Sequence, residues 1–254
     1  MSFNNESFLK KGFVNFNLKD FDLVLYNHLY QLTDKQKFFN LINHLRYEFS
    51  VINTEDLEPI NKICEKYINN FSIDNNNIRI NGTFKNNFED FILLFDKLKN
   101  YSKNVFQHWF YTNLSENFMN GNNSNYQNEI IKLVNEIHKK ILINFYNILE
   151  NQFKYNHMID LTLYTKNSFI VPHEDGYDEG RLCVILIYLN EDYEKGFGGE
   201  LKINDNFIVR PNFGEITILD FTKNNPKHEV LSVINDNFHR YAFIKFFYLQ
   251  DILN

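Results

Sequence analysis

The hydrophobic pattern of the chain changes near residue 156. From about residue 18 to residue 152, apolar residues recur mostly at three- and four-residue spacings, which predicts amphipathic helices. The order Thr33-Asp34-Lys35-Gln36 indicates a helix N-cap at Thr33 with a capping box, and Asn125 is placed to open a long helix running towards Phe153. Residues 1–156 are therefore expected to be mainly helical, with a short strand at Ile78–Ile80 before an Asn81-Gly82 turn.

After Asn156, short runs of β-branched and aromatic residues alternate with Gly, Asn, Asp or Pro, which is typical of strands and turns. Because no helical pattern separates these runs, they favour a jelly roll over a parallel sheet. We expect an α+β protein with a double-stranded β-helix (jelly roll) at residues 157–254, an N-terminal helical layer packed on one of its sheets, and one functional domain overall. The predicted strands are Met158–Tyr164, Phe169–Pro172, Leu182–Leu189, Gly199–Ile203, Phe207–Arg210, Glu215–Phe221, His228–Val233 and Tyr241–Leu249.

The composition narrows the class of protein. A chain of 254 residues that is 44% hydrophobic and 23% charged is expected to fold around a sizeable core. A net charge of −6 argues against nucleic acid or an anionic membrane as partner. Cys64 and Cys183 are the only cysteines, and we expect both to be reduced. The sequence shows no secretory signal pattern and no long apolar stretch, so a cytoplasmic location is expected.

Three residues are candidates for a metal site. His173-Glu174-Asp175 ends the second predicted strand, but with 8 His and 32 acidic residues chance alone supplies about one such pair. His228 strengthens the case because it opens the seventh strand, which can neighbour the second in a jelly roll. Two imidazoles and one carboxylate on one face are the ligand set of non-haem Fe(II) oxygenases. The alternative is that His173 and His228 are ordinary strand-end histidines.

Arg240 opens a last strand that is otherwise nearly all apolar. A guanidinium that points into a barrel needs a buried anion as its partner. A dicarboxylate co-substrate would supply that anion.

The second half of the chain resembles the prolyl 4-hydroxylase-like 2-oxoglutarate oxygenases, especially the hypoxia-inducible-factor type, over residues 158–249. The resemblance lies in the order and approximate spacing of short segments and does not extend to residues 1–150. These segments are His173-Glu174-Asp175, Gly180-Arg181, Ile187-Tyr188-Leu189-Asn190, Gly198-Gly199-Glu200-Leu201, His228-Glu229-Val230 and Arg240-Tyr241-Ala242.

The resemblance implies Fe(II), 2-oxoglutarate and O₂ as cofactor and co-substrates. It implies that His173, Asp175 and His228 bind the iron. Arg240 and Tyr188 would then bind the distal carboxylate of 2-oxoglutarate, with Tyr164 facing the co-substrate near the metal. The alternative for both tyrosines is that they are core aromatic residues.

At other positions the chain differs from the family, or the role of the residue has an alternative. Arg240 lies twelve residues after His228, farther than in the family, so His239 or Lys245 is the alternative partner for 2-oxoglutarate. Arg181 corresponds to a position near the substrate entrance, with a solvated turn arginine as the alternative. Phe246 stands where the hypoxia-factor hydroxylases carry tryptophan, which suggests a changed substrate.

The resemblance predicts hydroxylation of an unactivated C–H bond, and the carboxylate of Asp175 favours hydroxylation over halogenation. The expected substrate is a prolyl residue in a peptide or protein, or a free amino acid. The rival interpretation is a non-enzymatic, cupin-like module that holds zinc or a small ligand through the same residues. A metal-free structural barrel is the third interpretation.

Overall fold

The computed structural model describes residues 11–69, 71–74, 77–83, 85, 94, 97–114, 124–148, 158–175, 180–222 and 224–249. Its helices are α1 (Leu18–Phe21), α2 (Leu23–Leu32), α3 (Lys35–Leu41), α4 (Leu57–Tyr67) and α5 (Asn125–Tyr146). Its strands are β1 (Phe13–Asn17), β2 (His44–Val51), β3 (Ser72–Asp74), β4 (Asn77–Thr83), β5 (Ser102–Asn113), β6 (Asp160–Tyr164), β7 (Phe169–His173), β8 (Arg181–Tyr188), β9 (Leu201–Ile203), β10 (Phe207–Val209), β11 (Glu215–Asp220), β12 (His228–Val230) and β13 (Arg240–Tyr248).

The strands after residue 157 form the predicted jelly roll. One layer has the order β1-β11-β8-β13-β6 and the other has the order β7-β12-β9-β10. Strand β5 joins the two layers along one side, because it pairs with β6 and with β7. All eight predicted strands are present, each with ends within three residues of the expected ones. The expected fold class is confirmed.

The N-terminal part contains more strand than its helical pattern predicted. β1 and β5 lie in the main sheet, and β2 and β4 extend it beyond β5. The spacing of apolar residues predicts a helix through Leu45, but burial alternates at every second residue along β2, as expected for a strand. The short strand predicted at Ile78–Ile80 is β4, which continues through Asn81 and Gly82, so the turn predicted there is wrong.

The predicted helix starts are partly correct. Helix α3 begins one residue later than expected, because Asp34 and not Thr33 is its N-cap and accepts a 3.0 Å hydrogen bond from the Lys37 amide. Thr33 instead ends α2. Helix α5 begins at Asn125 as predicted and ends at Tyr146, where Asn147 adopts a left-handed conformation; Phe153 lies outside the described residues.

Two apolar clusters lie on opposite faces of the first layer. Alternate residues of β8 point to opposite faces, so Ile185 and Ile187 join a cluster with helix α5, while Leu186 and Tyr188 point into the barrel. Helix α5 thus supports the sheet from outside, as the expected helical layer should. Among the described residues, no helix is long and apolar enough to cross a membrane.

Candidate functional site

The three predicted metal ligands lie together where strands β7 and β12 pair. His173 ends β7 and His228 begins β12, and the two residues are direct partners in the register of these neighbouring strands. Asp175 Oδ1 lies 3.8 Å from His173 Nε2, and Asp175 Oδ2 lies 3.5 Å from His228 Nε2. One potential ligand atom from each residue falls within 4.8 Å of the others.

The backbone fixes both imidazoles for metal binding. His173 Nδ1 lies 3.0 Å from the Val171 carbonyl oxygen, and His228 Nδ1 lies 2.9 Å from that of Pro226. A carbonyl only accepts hydrogen bonds, so each Nδ1 carries the proton and each Nε2 presents its lone pair. Burial, followed by the neighbouring His173, lowers the pKa of His228. The neutral form that a metal requires is therefore favoured.

This donor set suits Fe(II). Two neutral imidazoles and one carboxylate occupy one side of the metal and leave its remaining positions for other ligands. His173 and Asp175 are only half-buried, so these positions face accessible space. The arrangement contradicts the alternative reading of two unrelated strand-end histidines, because their rings lie 4.3 Å apart.

Arg240 is fully buried in the same barrel. Its Nε, Nη1 and Nη2 atoms have no hydrogen-bond partner among the described residues. The guanidinium carbon lies 4.5 Å from the centre of the Tyr164 ring and 5.1 Å from that of Tyr188. A buried cation without an anion is costly, so this position fits the distal carboxylate of 2-oxoglutarate. Although Arg240 lies twelve residues after His228, it lines the same cavity as the triad.

The two predicted tyrosines take different positions around Arg240. Tyr164 lines the cavity that contains the triad, whereas Tyr188 packs against the guanidinium without lining that cavity. Burial raises the pKa of both phenols, against the opposing charge of Arg240, so both hydroxyls remain protonated. A contact between Tyr188 and 2-oxoglutarate stays a prediction.

Gly199 allows Arg240 to lie where it does. Its φ is +80°, and a Cβ at this position would meet Arg240 Cδ at 3.0 Å and Val233 Cγ2 at 3.1 Å. The adjacent Gly198 is closer still to the backbone, since its Cβ would lie 2.0 Å from the Ser232 carbonyl oxygen. Any larger side chain would therefore clash at both positions, which explains why both residues are glycine.

Arg181 and Phe246 form another wall of the cavity. Arg181 donates a 3.4 Å hydrogen bond from Nη1 to Asp175, and its guanidinium lies 4.6 Å from the Phe246 ring centre. Arg181 is thus placed beside the triad, which the solvated-turn alternative does not explain. The alternative partners for 2-oxoglutarate lie elsewhere: His239 stacks on Phe39, and Lys245 donates to Asn135 of helix α5.

The cavity has a volume of about 400 Å³, and its other wall was missed in the sequence. This outer wall is built by β2, β4 and β5 and not by helices. It consists of Arg46, Asn81, Gln107, Trp109 and Tyr111. The available signal was the alternation of polar residues along these strands, combined with the single tryptophan of the chain.

Comparison with known proteins agrees with this geometry. Residues 159–248 match the family model described as the 2OG-Fe(II) oxygenase superfamily. The matched segment contains the triad and Arg240 but excludes the outer wall. No curated protein matches the chain.

The chain is similar to several solved structures. A prolyl hydroxylase from Trichoplax adhaerens, in complex with a hypoxia-inducible-factor peptide fragment, matches with a TM-score of 0.50 and 13% identity, covering 97% of this chain and 87% of that chain. A Pseudomonas putida prolyl-4-hydroxylase matches with a TM-score of 0.38 and 17% identity, covering 49% and 66%. A viral collagen prolyl hydroxylase from Paramecium bursaria Chlorella virus-1 gives a TM-score of 0.38 and 19% identity, covering 46% and 72%.

Proposed function

We propose that this chain, whose residues 159–248 form a 2OG-Fe(II) oxygenase domain, hydroxylates an unactivated C–H bond of a prolyl residue in a peptide or of a free amino acid. The enzyme is an oxygenase that uses Fe(II), 2-oxoglutarate and O₂. We assign His173, Asp175 and His228 to the iron and Arg240 to the distal carboxylate of 2-oxoglutarate.

One observation carries these assignments: the triad and the guanidinium of Arg240, which has no hydrogen-bond partner in the part of the chain that the structure describes, line one cavity. A metal site alone would suit many binding proteins. A metal site combined with a buried cation that lacks an anion suits a chelating dicarboxylate, since one end can bind the metal and the other can bind the arginine.

Bound together, Fe(II), 2-oxoglutarate and O₂ supply the oxidation, in which 2-oxoglutarate becomes succinate and CO₂ and one oxygen atom enters the substrate. The chain's own residues position the reactants. Arg240 orients the co-substrate, and the apolar wall that includes Val184, Leu186 and Phe246 limits the access of water. Arg181 holds the Asp175 carboxylate from the side of the cavity.

Different observations support the two substrate classes, a prolyl residue in a peptide and a free amino acid. The Trichoplax structure contains a peptide fragment, and its fold resembles that of this chain, which supports a peptidyl prolyl substrate. Phe246 and the polar outer wall support a substrate other than a prolyl peptide, such as a free amino acid. The side chains around the reacting bond decide which substrate fits.

The experiment that tests the function compares wild type with His228→Ala. Fe(II) and 2-oxoglutarate are added without O₂, and the visible charge-transfer band of the chelate is recorded; O₂ is then admitted and succinate is measured. We expect both signals in wild type and neither in His228→Ala. His28→Ala, a change of an exposed histidine on α2, is the matched control and should behave as wild type.

The binding-module alternative gives a different result in the same experiment. A cupin-like module would bind metal without consuming O₂ or forming succinate. Succinate formation by His228→Ala at the wild-type rate would contradict the assignment of the iron ligands.

A further inference from the structure

Arg46 lies in a row of side chains that crosses the sheet towards Arg240. In the strand register it stands opposite Asn81 of β4 on one side and opposite Trp109 of β5 on the other. The Trp109 ring is nearly parallel to that of Tyr164, with centres 6.0 Å apart, and Tyr164 stands opposite Arg240. Residues directly opposite on antiparallel strands have Cβ atoms roughly 5 Å apart. Arg46 and Arg240 thus lie on either side of Trp109 and Tyr164, and both line the cavity.

No acidic side chain among the described residues forms an ion pair or hydrogen bond with the guanidinium of Arg46. Its Nε is buried and has no hydrogen-bond partner among the described residues. Burial is the main effect that lowers the pKa of Arg46, and the neighbouring Arg79 lowers it further, whereas Glu48 raises it. A half-buried arginine in this state gains from an anionic ligand.

Glu48 does not supply that ligand, although it lies on the same face of β2. Its carboxylate accepts hydrogen bonds of 3.0 and 3.1 Å from Arg79 and one of 2.8 Å from Gln107. The negative charge of Glu48 is therefore shared with a different arginine.

The other carboxylates on the cavity wall are also engaged or distant. Asp175 belongs to the triad and accepts a hydrogen bond from Arg181. Asp160 lies outside this row, since it is four residues along β6 from Tyr164, which corresponds to roughly 13 Å along an extended strand. 2-Oxoglutarate has only two carboxylates, and the proposed function uses one at the metal and the other at Arg240.

We infer that Arg46 is a specificity-determining residue that binds a carboxylate of the substrate to be oxidised, while the body of the substrate lies along Trp109 towards the metal. This inference rests on the proposed function. The carboxylate can come from a free amino acid or from an acidic side chain next to the reacting residue in a peptide, and the experiment separates these sources. A neutral prolyl peptide does not meet the requirement.

Trp109 allows a binding test that does not depend on turnover. It is the only tryptophan of the chain and it lines the cavity, so its fluorescence reports on this site. The full chain with Fe(II) and 2-oxoglutarate, kept free of O₂, is titrated with the common L-amino acids, with their carboxamides, and with two prolyl peptides that differ by one acidic side chain. We expect a carboxylate to change the emission at a concentration about 10- to 100-fold lower than its neutral counterpart.

Arg46→Met removes the charge and keeps much of the side-chain length. It should abolish the preference for the carboxylate and raise the substrate KM by about 10- to 100-fold, whereas Arg46→Lys should restore part of the preference. Succinate formation without substrate and the KM for 2-oxoglutarate should stay unchanged. Arg210→Met, a change of an exposed arginine away from the cavity, is the matched control.

Equal responses to carboxylates and carboxamides, or no response to either up to millimolar concentrations, would overturn the inference. So would equal behaviour of Arg46→Met and Arg210→Met, or a large rise in the KM for 2-oxoglutarate in Arg46→Met. The proposed function fails separately: wild type would then show the Arg46-dependent emission change and form no succinate after O₂ is admitted.

Discussion

The two ends of the cavity are built in different ways. At the inner end, the backbone and tight packing hold the triad and Arg240: carbonyls fix the imidazoles, and Gly199 leaves room for the arginine stem. At the outer end, hydrogen bonds between side chains fix the residues. Tyr111 donates a 2.7 Å hydrogen bond to Asn81, and Trp109 donates one of 3.3 Å to Gln107.

Under the proposed function, this difference assigns the reaction to the inner end and the selection of the substrate to the outer end. The inner end has to place the same metal and the same co-substrate in every enzyme that uses them, and a rigid frame does this best. Under the proposed function the outer end contacts the substrate, and a network of side chains on strands can change one residue at a time without disturbing the metal. The match of the family model to residues 159–248 follows the same division.

Arg240→Met should give the largest effect at the inner end after loss of a metal ligand. We expect the KM for 2-oxoglutarate to rise about 100-fold, because a charge-assisted bond to the carboxylate is lost. The free protein should nevertheless become more stable, by about 1–3 kcal/mol, since an unpaired buried charge is replaced by an apolar side chain. Thermal unfolding with and without 2-oxoglutarate measures both changes.

In wild type, 2-oxoglutarate at 100 times its Kd should add about 2.7 kcal/mol of stability, and in Arg240→Met this gain should nearly vanish. A variant that is less stable than wild type when free, yet still stabilised by 2-oxoglutarate, would show that Arg240 serves packing and not the co-substrate.

The sequence predicts the residues of the inner end but not those of the outer end, and the reason is physical. His173, Asp175, His228 and Arg240 stand at strand ends, and strand ends can be read from local runs of β-branched residues and turns. The outer wall depends on pairing between distant segments: Arg46 stands opposite Trp109, and no local pattern encodes that register. The apolar residues before residue 45 are spaced as in a helix, so the sequence pattern did not indicate that β2 begins at His44.

Gly199→Ala should have the next largest effect. Its Cβ would press on Arg240 Cδ and Val233 Cγ2, so we expect a loss of about 1–3 kcal/mol in the free energy of unfolding and a several-fold rise in the KM for 2-oxoglutarate. Chemical denaturation and steady-state kinetics measure the two effects.

Gly196→Ala is the matched control for this prediction. Gly196 also has a positive φ, of +101°, but its added Cβ would meet nothing within 4 Å. Both variants therefore carry backbone strain, and only Gly199→Ala adds the contact with Arg240. If the two variants raise the KM for 2-oxoglutarate equally, the glycine does not position the arginine.

Trp109→Phe should give the smallest effect, and it tests whether the two ends act separately. Phenylalanine keeps an aromatic face beside Tyr164 but loses the hydrogen bond to Gln107, which in turn holds Glu48. We expect the substrate KM to rise about 3- to 10-fold, the range of one neutral hydrogen bond, while the KM for 2-oxoglutarate and succinate formation without substrate stay at wild-type values. Steady-state kinetics for each of the two substrates measure the change. If the KM for 2-oxoglutarate rises by the same factor, then the stack of Trp109 on Tyr164 transmits strain to Arg240, and the cavity works as one unit rather than as a fixed inner end with a variable outer wall.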